Sequence, residues 1–460
     1  MKKFVFLVAV LGWFLIQGQV TAKSFCYVVD DFNFYPVPDT PKPEIGVPYI
    51  DPVFHTEIVR IASGGHCGYP KHDIENCDGT LIFVEGGPDS HKCFWTANPP
   101  YKCVGCIPPT YVGWGAAIDI RWDDKDPHVV YFANMRAGNV FAKYTLEFDA
   151  NGDMTKGKYE VLHDFKEETD VYWPEPDYHI ARISMYEEGC PSGDTRYWCF
   201  AVVSHIETHD PTWWRCGMLV YDKDYYGKDQ GKVTAILKQG EPGFYAPGFT
   251  SMSPSGKYVW TGDTHRLYTR DLKFIRQMKI FTGHADMGIS AEGREVIVGF
   301  AKDYSTDKYM HAMEDLETGQ LTLLSEMSSG GMHVSGNCHL APGWAVYSYY
   351  GPSYPDVPTK WGQHELVAVE LTTRKDPPPK VWRVCHTHTV RKGYGDDPFG
   401  KFNKKGTRMY FTSGWGCSTY DEGCSRNIFQ VNLPETWRED LARLEPSPPP
   451  SKWRKKDRQS

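Results

Sequence analysis

The feature that most constrains this chain is a unit that recurs along it: a turn rich in Gly, Asp, Asn or Ser, followed by a short apolar, β-branched or aromatic run. The clearest copies are Asn76-Cys77-Asp78-Gly79-Thr80 into Leu81-Ile82-Phe83-Val84 and Ser253-Pro254-Ser255-Gly256-Lys257 into Tyr258-Val259-Trp260. Further copies are Ser290-Ala291-Glu292-Gly293-Arg294 into Glu295-Val296-Ile297-Val298, Ala341-Pro342-Gly343 into Trp344-Ala345-Val346-Tyr347, and Asn403-Lys404-Lys405-Gly406-Thr407 into Arg408-Met409-Tyr410-Phe411. Looser copies at 124–132 and 191–200 bring the total to seven. Each turn is a hairpin signal, because Gly supplies positive φ and the run behind it has strand character. Several hairpins are followed by a further strand, such as 267–272 or 428–433. About 63 residues are available per unit, above the roughly 40 to 50 of familiar propeller repeats and consistent with long loops. Small sheets of this kind bury both faces only against their neighbours in a ring, so the expected fold is all-β, a β-propeller of seven blades. The 43 Gly, 33 Pro, 28 Tyr, 23 Phe and 15 Trp favour short aromatic strands over a helical bundle.

The ends are read separately. Lys2 and Lys3 precede an apolar run over 4–16, and Val20-Thr21-Ala22 offers small residues for cleavage. The run is shorter than the roughly 20 residues of a bilayer span, so residues 1–22 are expected to be a signal peptide and the protein to be secreted, extracellular or periplasmic. The propeller is expected over 23–440, with 55–61 as a strand that closes the ring against the last blade. Residues 441–460, with Pro446, Pro448, Pro449, Pro450 and a Lys/Arg cluster, read as a disordered basic tail. A net charge of −8 argues against nucleic acid as a partner. No later apolar run is long enough to enter a membrane, and a monomer is expected.

Thirteen Cys in an exported chain point to disulfides. Local pairs such as Cys190 with Cys199 or Cys417 with Cys424 would staple loops, and the odd total leaves at least one thiol over. Cys103-Val-Gly-Cys106 has redox or zinc spacing, but no second CxxC accompanies it and the flanking prolines mark a loop.

Several signatures are missing: no GxSxG elbow, no HExxH, no P-loop and no dinucleotide fingerprint. The histidines, by contrast, fall at repeated places. His284 and His333 each lie just ahead of a hairpin turn, and His386 and His388 do so ahead of the turn at Gly406. On innermost strands of consecutive blades they would converge at one mouth of the channel. Their imidazoles would suit a divalent cation (Zn²⁺, Mn²⁺ or Ca²⁺), with Asp286, Cys338 and His339 as substitute ligands. A second set comes from the opposite arc: Tyr178, His179 and Arg182 ahead of the third blade's hairpin, Tyr245 ahead of the fourth, and Arg266 beyond it. A base, a cation and an acid are the groups that proton abstraction beside a carboxylate requires. Tyr172-Trp173, Trp213-Trp214 and Trp361 offer faces on which sugars stack, or packing between sheets.

The 253–258 turn, Gly283-His284-Ala285-Asp286, the 333–344 segment ending Pro342-Gly343-Trp344, and the last blade over 386–416 resemble a group of secreted bacterial β-propellers that includes polysaccharide lyases acting on uronic acids. Similarity to oligogalacturonate lyases implies a metal at His284, His386 and His388. Similarity to ulvan lyases implies a His, a Tyr and an Arg at His179, Tyr245 and Arg266. The cysteine-rich first blade is unlike both families. The expectation is therefore a secreted polysaccharide lyase that cleaves an acidic polysaccharide or oligosaccharide, ulvan-like or pectic, by β-elimination. The alternatives are a non-catalytic extracellular propeller binding glycans or protein partners, and a glycoside hydrolase using carboxylates such as Glu175, Asp177 and Asp286.

Overall fold

The computed structural model describes residues 27–86, 92–112, 120–134, 139–174, 182–186, 188–204, 214–280, 284–328, 330–353 and 356–444. Seven antiparallel sheets follow one another along the chain and form a seven-bladed β-propeller. Blade one holds Leu81–Glu85, Lys92–Thr96 and Cys103–Ile107, with 66–75 running inside it through the bridges His66 to Glu85 and Glu75 to Ile82. Blades two to six begin with inner strands at Arg121–Trp122, Arg182–Ser184, Thr250–Met252, Asp286–Ile289 and Met332–Ser335. In blade seven Lys401–Phe402, Arg408–Ser413 and Asn427–Asn432 are completed by Glu57–Ser63, which pairs with Asn427–Asn432 and closes the ring. Six of the seven hairpin turns read from the sequence connect a blade's first strand to its second, and the turn at 76–80 joins the inner 66–75 segment to Leu81–Glu85. They touch across blades at one end of the ring, as Gly193 N–H does on the Pro254 carbonyl and Leu340 N–H on the Lys404 carbonyl.

The strands are continuously apolar because each residue faces one of two neighbouring blades. In Glu295–Asp303, Val296 and Val298 pack toward blade six while Ile297 packs toward blade four. In Val129–Asn134, Val129 and Tyr131 face blade three, and Val130 and Phe132 face blade one. Strand period two therefore serves two interfaces. Seven buried clusters fill the seven junctions, including the closing one between blades seven and one through Ile61, Tyr410, Ile428 and Ile82. The helix Trp437–Arg443 crosses residue 440 and buries Leu441 against blades six and seven.

Among the described residues two cross-links form: Cys417 with Cys424, as its spacing suggests, and Cys93 with Cys106. Cys190 and Cys199 do not pair. Cys199 is buried between blades three and four, and the Cys190 thiol donates to the Lys71 carbonyl at 2.8 Å.

Among the buried polar groups, His311 sits between blades five and six with its ring nitrogens on Ser325 Oγ at 2.7 Å and Tyr349 Oη at 2.6 Å. Burial lowers its pKa to about 3. The unfolded chain, with histidines near 6.5, thus takes up this proton first on acidification, and the stability present above pH 6.5 is lost as the pH falls toward 3. Urea titrations of His311→Gln between pH 7 and 4 should give a shallower loss than the parent, by up to about 1.4 kcal/mol per pH unit. Identical slopes would show that His311 contributes nothing to acid lability.

Candidate active site

The site is built on the channel axis, where blades that are not neighbours touch. Tyr69 and Lys71 of blade one reach His284 of blade five and Glu188 of blade three: Tyr69 Oη is 2.6 Å from His284 Nδ1, and Lys71 Nζ is 3.1 Å from Glu188 Oε2. The His284 and His333 rings meet edge to face with centroids 4.5 Å apart. Lys71 is 1% exposed and lies 3.5 Å from the centre of the Phe249 ring. Burial lowers its pKa, opposed by Glu188 and Asp286. Burial, and after it the charge of Lys71, lowers the pKa of His284, so its imidazole is neutral at pH 7. Burial raises the Tyr69 hydroxyl far above its ordinary range and keeps it protonated.

Two further cations lie beneath this group. Lys401, at the start of blade seven's inner strand, donates to the carbonyls of Cys67, Gly68 and Tyr69 and so fixes the 66–75 segment across the channel. Arg121 contacts His72 Nε2 at 2.6 Å and donates to the Gly189 carbonyl. Asp286 accepts the N–H groups of Gly336 and Met287, and burial raises its pKa to about 6. The channel therefore sets Lys71, Arg121 and Lys401, with Glu188 and Asp286 as counter-charges, beside a neutral imidazole–phenol pair.

His333 lies next to a second group. Its Nδ1 is 3.9 Å from Asp397 Oδ2, and neither atom has a hydrogen-bond partner among the described residues. Asp397 Oδ1 accepts from Arg391 Nε at 2.6 Å, and burial raises its pKa to about 6. The Arg391 guanidinium lies 4.4 Å from the centre of the Tyr350 ring and lines a cavity of about 240 Å³ together with His364, His388 and Pro38.

His284 and His333 are brought together as expected, whereas His386 and His388 are not on an inner strand. His386 ends Val381–His386, the fourth strand of blade six, because a connection over 387–400 separates it from the inner strand of blade seven. The strand breaks at once, with His388 at φ 52°, so the alternation expected to put both rings on one face does not apply. Their centroids are 6.2 Å apart, His386 Nδ1 lies 3.0 Å from Asp51 Oδ2, and His388 stacks on Trp415. Burial raises the Asp51 carboxyl, but its bonds to His386 outweigh that and hold it below the ordinary value. His386 Nε2 and His388 Nε2 are buried and without partners among the described residues. An imidazole whose other nitrogen is anchored, as His386 Nδ1 is by Asp51, is preorganised for a metal, but among the described residues no third donor completes a set with these two rings. The four expected histidines do not form one ligand set: among the described residues only the sulfurs of Cys93, Cys103 and Cys106 bring three donor atoms within 4.8 Å of one another.

Tyr178 and His179 lie outside the described residues. Arg182 begins the inner strand of blade three. Tyr245 is 53% exposed, with the Arg266 guanidinium 4.5 Å from its ring centre and 5.0 Å from that of Phe274, so this pair is joined but stands on the rim of blade four. Trp173 is buried and donates to the Cys216 carbonyl, which removes it as a sugar-stacking surface. The sequence reading missed Tyr69, Lys71, Arg121 and Lys401, although each lies just ahead of a hairpin turn, where His284 and His333 were found. The same positional rule applied to every residue type, not to histidine alone, finds them.

Fold and site together define a seven-bladed propeller with a lysine- and histidine-bearing channel. Its structure is similar to that of oligogalacturonate lyase from Vibrio parahaemolyticus, with 13% identity, a TM-score of 0.55, and coverage of 90% of this chain and 100% of that one. It is also similar to an oligogalacturonate lyase in complex with manganese, with 14% identity, a TM-score of 0.54, and coverage of 85% and 96%. No protein-family model matches the chain, and no curated protein matches it in sequence.

Proposed function

We propose that this protein is an exported lyase that cleaves a uronic-acid-containing polysaccharide or oligosaccharide by β-elimination. The observation that carries the reading is the neutral His284 bonded to the Tyr69 hydroxyl beside the buried ammonium of Lys71. Elimination requires loss of the C5 proton next to a carboxylate, neutralisation of the enolate-like charge, and protonation of the departing oxygen. His284 takes the C5 proton, Lys71 neutralises the uronate carboxylate, and the protonated Tyr69 hydroxyl assists the leaving oxygen. His386 and His388 would contribute imidazole donors to a divalent ion at the edge of blade six. An oligogalacturonate lyase of similar fold is in complex with manganese, which motivates a divalent ion here without assigning its ligands. The rim pair Tyr245 and Arg266 offers an aromatic face and a cation to sugars beyond the scissile bond.

The test is ultraviolet absorbance of the 4,5-unsaturated uronate during incubation with ulvan, pectate, alginate and glycosaminoglycans, with and without chelator. A rise on one polymer that chelation slows is the expected result. A flat trace across the panel from folded, metal-loaded protein would overturn the lyase reading in favour of a glycan- or protein-binding propeller.

A further inference from the structure

Blade one carries a sulfur cluster outside the channel. Cys93 lies in Lys92–Thr96, and Cys103 and Cys106 lie in the neighbouring edge strand Cys103–Ile107. Residues three apart in a regular strand point to opposite faces. Here the register shifts between Phe94 and Trp95, and Gly105 sits at φ 153° with its Cα against the Met154 side chain. The resulting bulge turns both cysteines of the CxxC toward Cys93, and the three sulfurs lie within 4.8 Å of one another. Cys93 and Cys106 are joined, and Cys103 is a half-buried free thiol.

We propose that Cys103 and the Cys93–Cys106 bond form a thiol–disulfide exchange site that moves the cross-link between two positions on the edge strand. The Cys103 thiol gives its proton to solvent and its thiolate attacks Cys93 Sγ. A Cys93–Cys103 bond forms as the Cys93–Cys106 bond breaks, and Cys106 leaves as a thiolate that takes up a proton. One disulfide and one thiol exist before and after, so no oxidant is consumed. Cys93 is the sulfur common to both forms because it is fully buried, whereas Cys106 is partly exposed and leaves into a solvated position. Either bond ties the edge strand to its neighbour, so the blade survives the exchange. Burial raises the Cys103 thiol, and the exchange accordingly quickens as the pH rises.

The full-length protein is incubated at pH 7 and pH 9, labelled with a maleimide, quenched in acid, and digested without reduction for mass spectrometry. Label is expected on both Cys103 and Cys106, with the Cys106 share growing faster at pH 9. Cys103→Ser should remove the Cys106 label, and Cys106→Ser, purified under the same oxidising conditions, should contain a Cys93–Cys103 bond and melt within a few degrees of the parent. Label confined to Cys103 at both pH values, or a folded Cys106→Ser protein with Cys93 and Cys103 both reduced, would overturn the proposal.

Discussion

Replacing Lys71 with methionine should lower kcat/KM on the responsive uronate polymer by about 10²- to 10³-fold, the usual effect of removing one preorganised charge-stabilising group. Methionine keeps most of the length and the apolar character of the stem, so what is lost is the ammonium and its contact with the Phe249 ring. Its partner Glu188 is partly exposed and returns to water instead of remaining a stranded buried charge, which limits the cost to folding. The loss should appear mainly in kcat, because charge on the substrate carboxylate grows in the transition state. Unchanged turnover in folded Lys71→Met protein would remove Lys71 from the reaction.

The largest effect on stability is expected at Arg383. Its side chain and that of Glu365 are both 0% exposed, and Arg383 Nε donates to Glu365 Oε2 at 2.8 Å. The guanidinium also donates to the carbonyls of Asp31 at 3.2 Å and Asn33 at 2.6 Å, between the rings of Tyr35 and Phe54. It therefore joins blade six to the segment that leads into the closing strand. Even with Arg383 present, burial leaves the Glu365 pKa above its ordinary value. Arg383→Leu strands that carboxyl and should cost about 3–5 kcal/mol in urea unfolding. The double variant Arg383→Leu/Glu365→Leu should recover much of the loss, since an apolar pair replaces a buried ionic one at little or no cost. A single-variant loss below about 1 kcal/mol would show that the pair contributes little.

The architecture was legible because its cause is local and repeated. Every blade needs a tight turn after its inner strand, so turns such as 253–257 and 403–407 recur, and the runs behind them are largely apolar on both faces because both are buried. The closing strand was legible as a β-branched segment, 55–61, near the N-terminal end that could pair with the last blade.

The site was legible only in part. His284 and His333 lie beside inner strands, where position relative to the turn fixes direction toward the axis, and they meet. His386 and His388 share that sequence position, yet the length of the following connection places them on the outer strand and its extension. The contacts that define the chemistry join residues 215 positions apart in Tyr69 and His284, and 117 apart in Lys71 and Glu188. No local period records such pairings, because they arise when the ring closes and brings non-neighbouring blades to one axis. By itself, then, the sequence determined the number of blades, their turns and the two-sided burial of their strands, since each depends on interactions within a few residues. Tertiary structure alone decided which cations face the imidazoles and how the three cysteines of blade one meet, since these follow from closure of the ring and from one bulge in an edge strand.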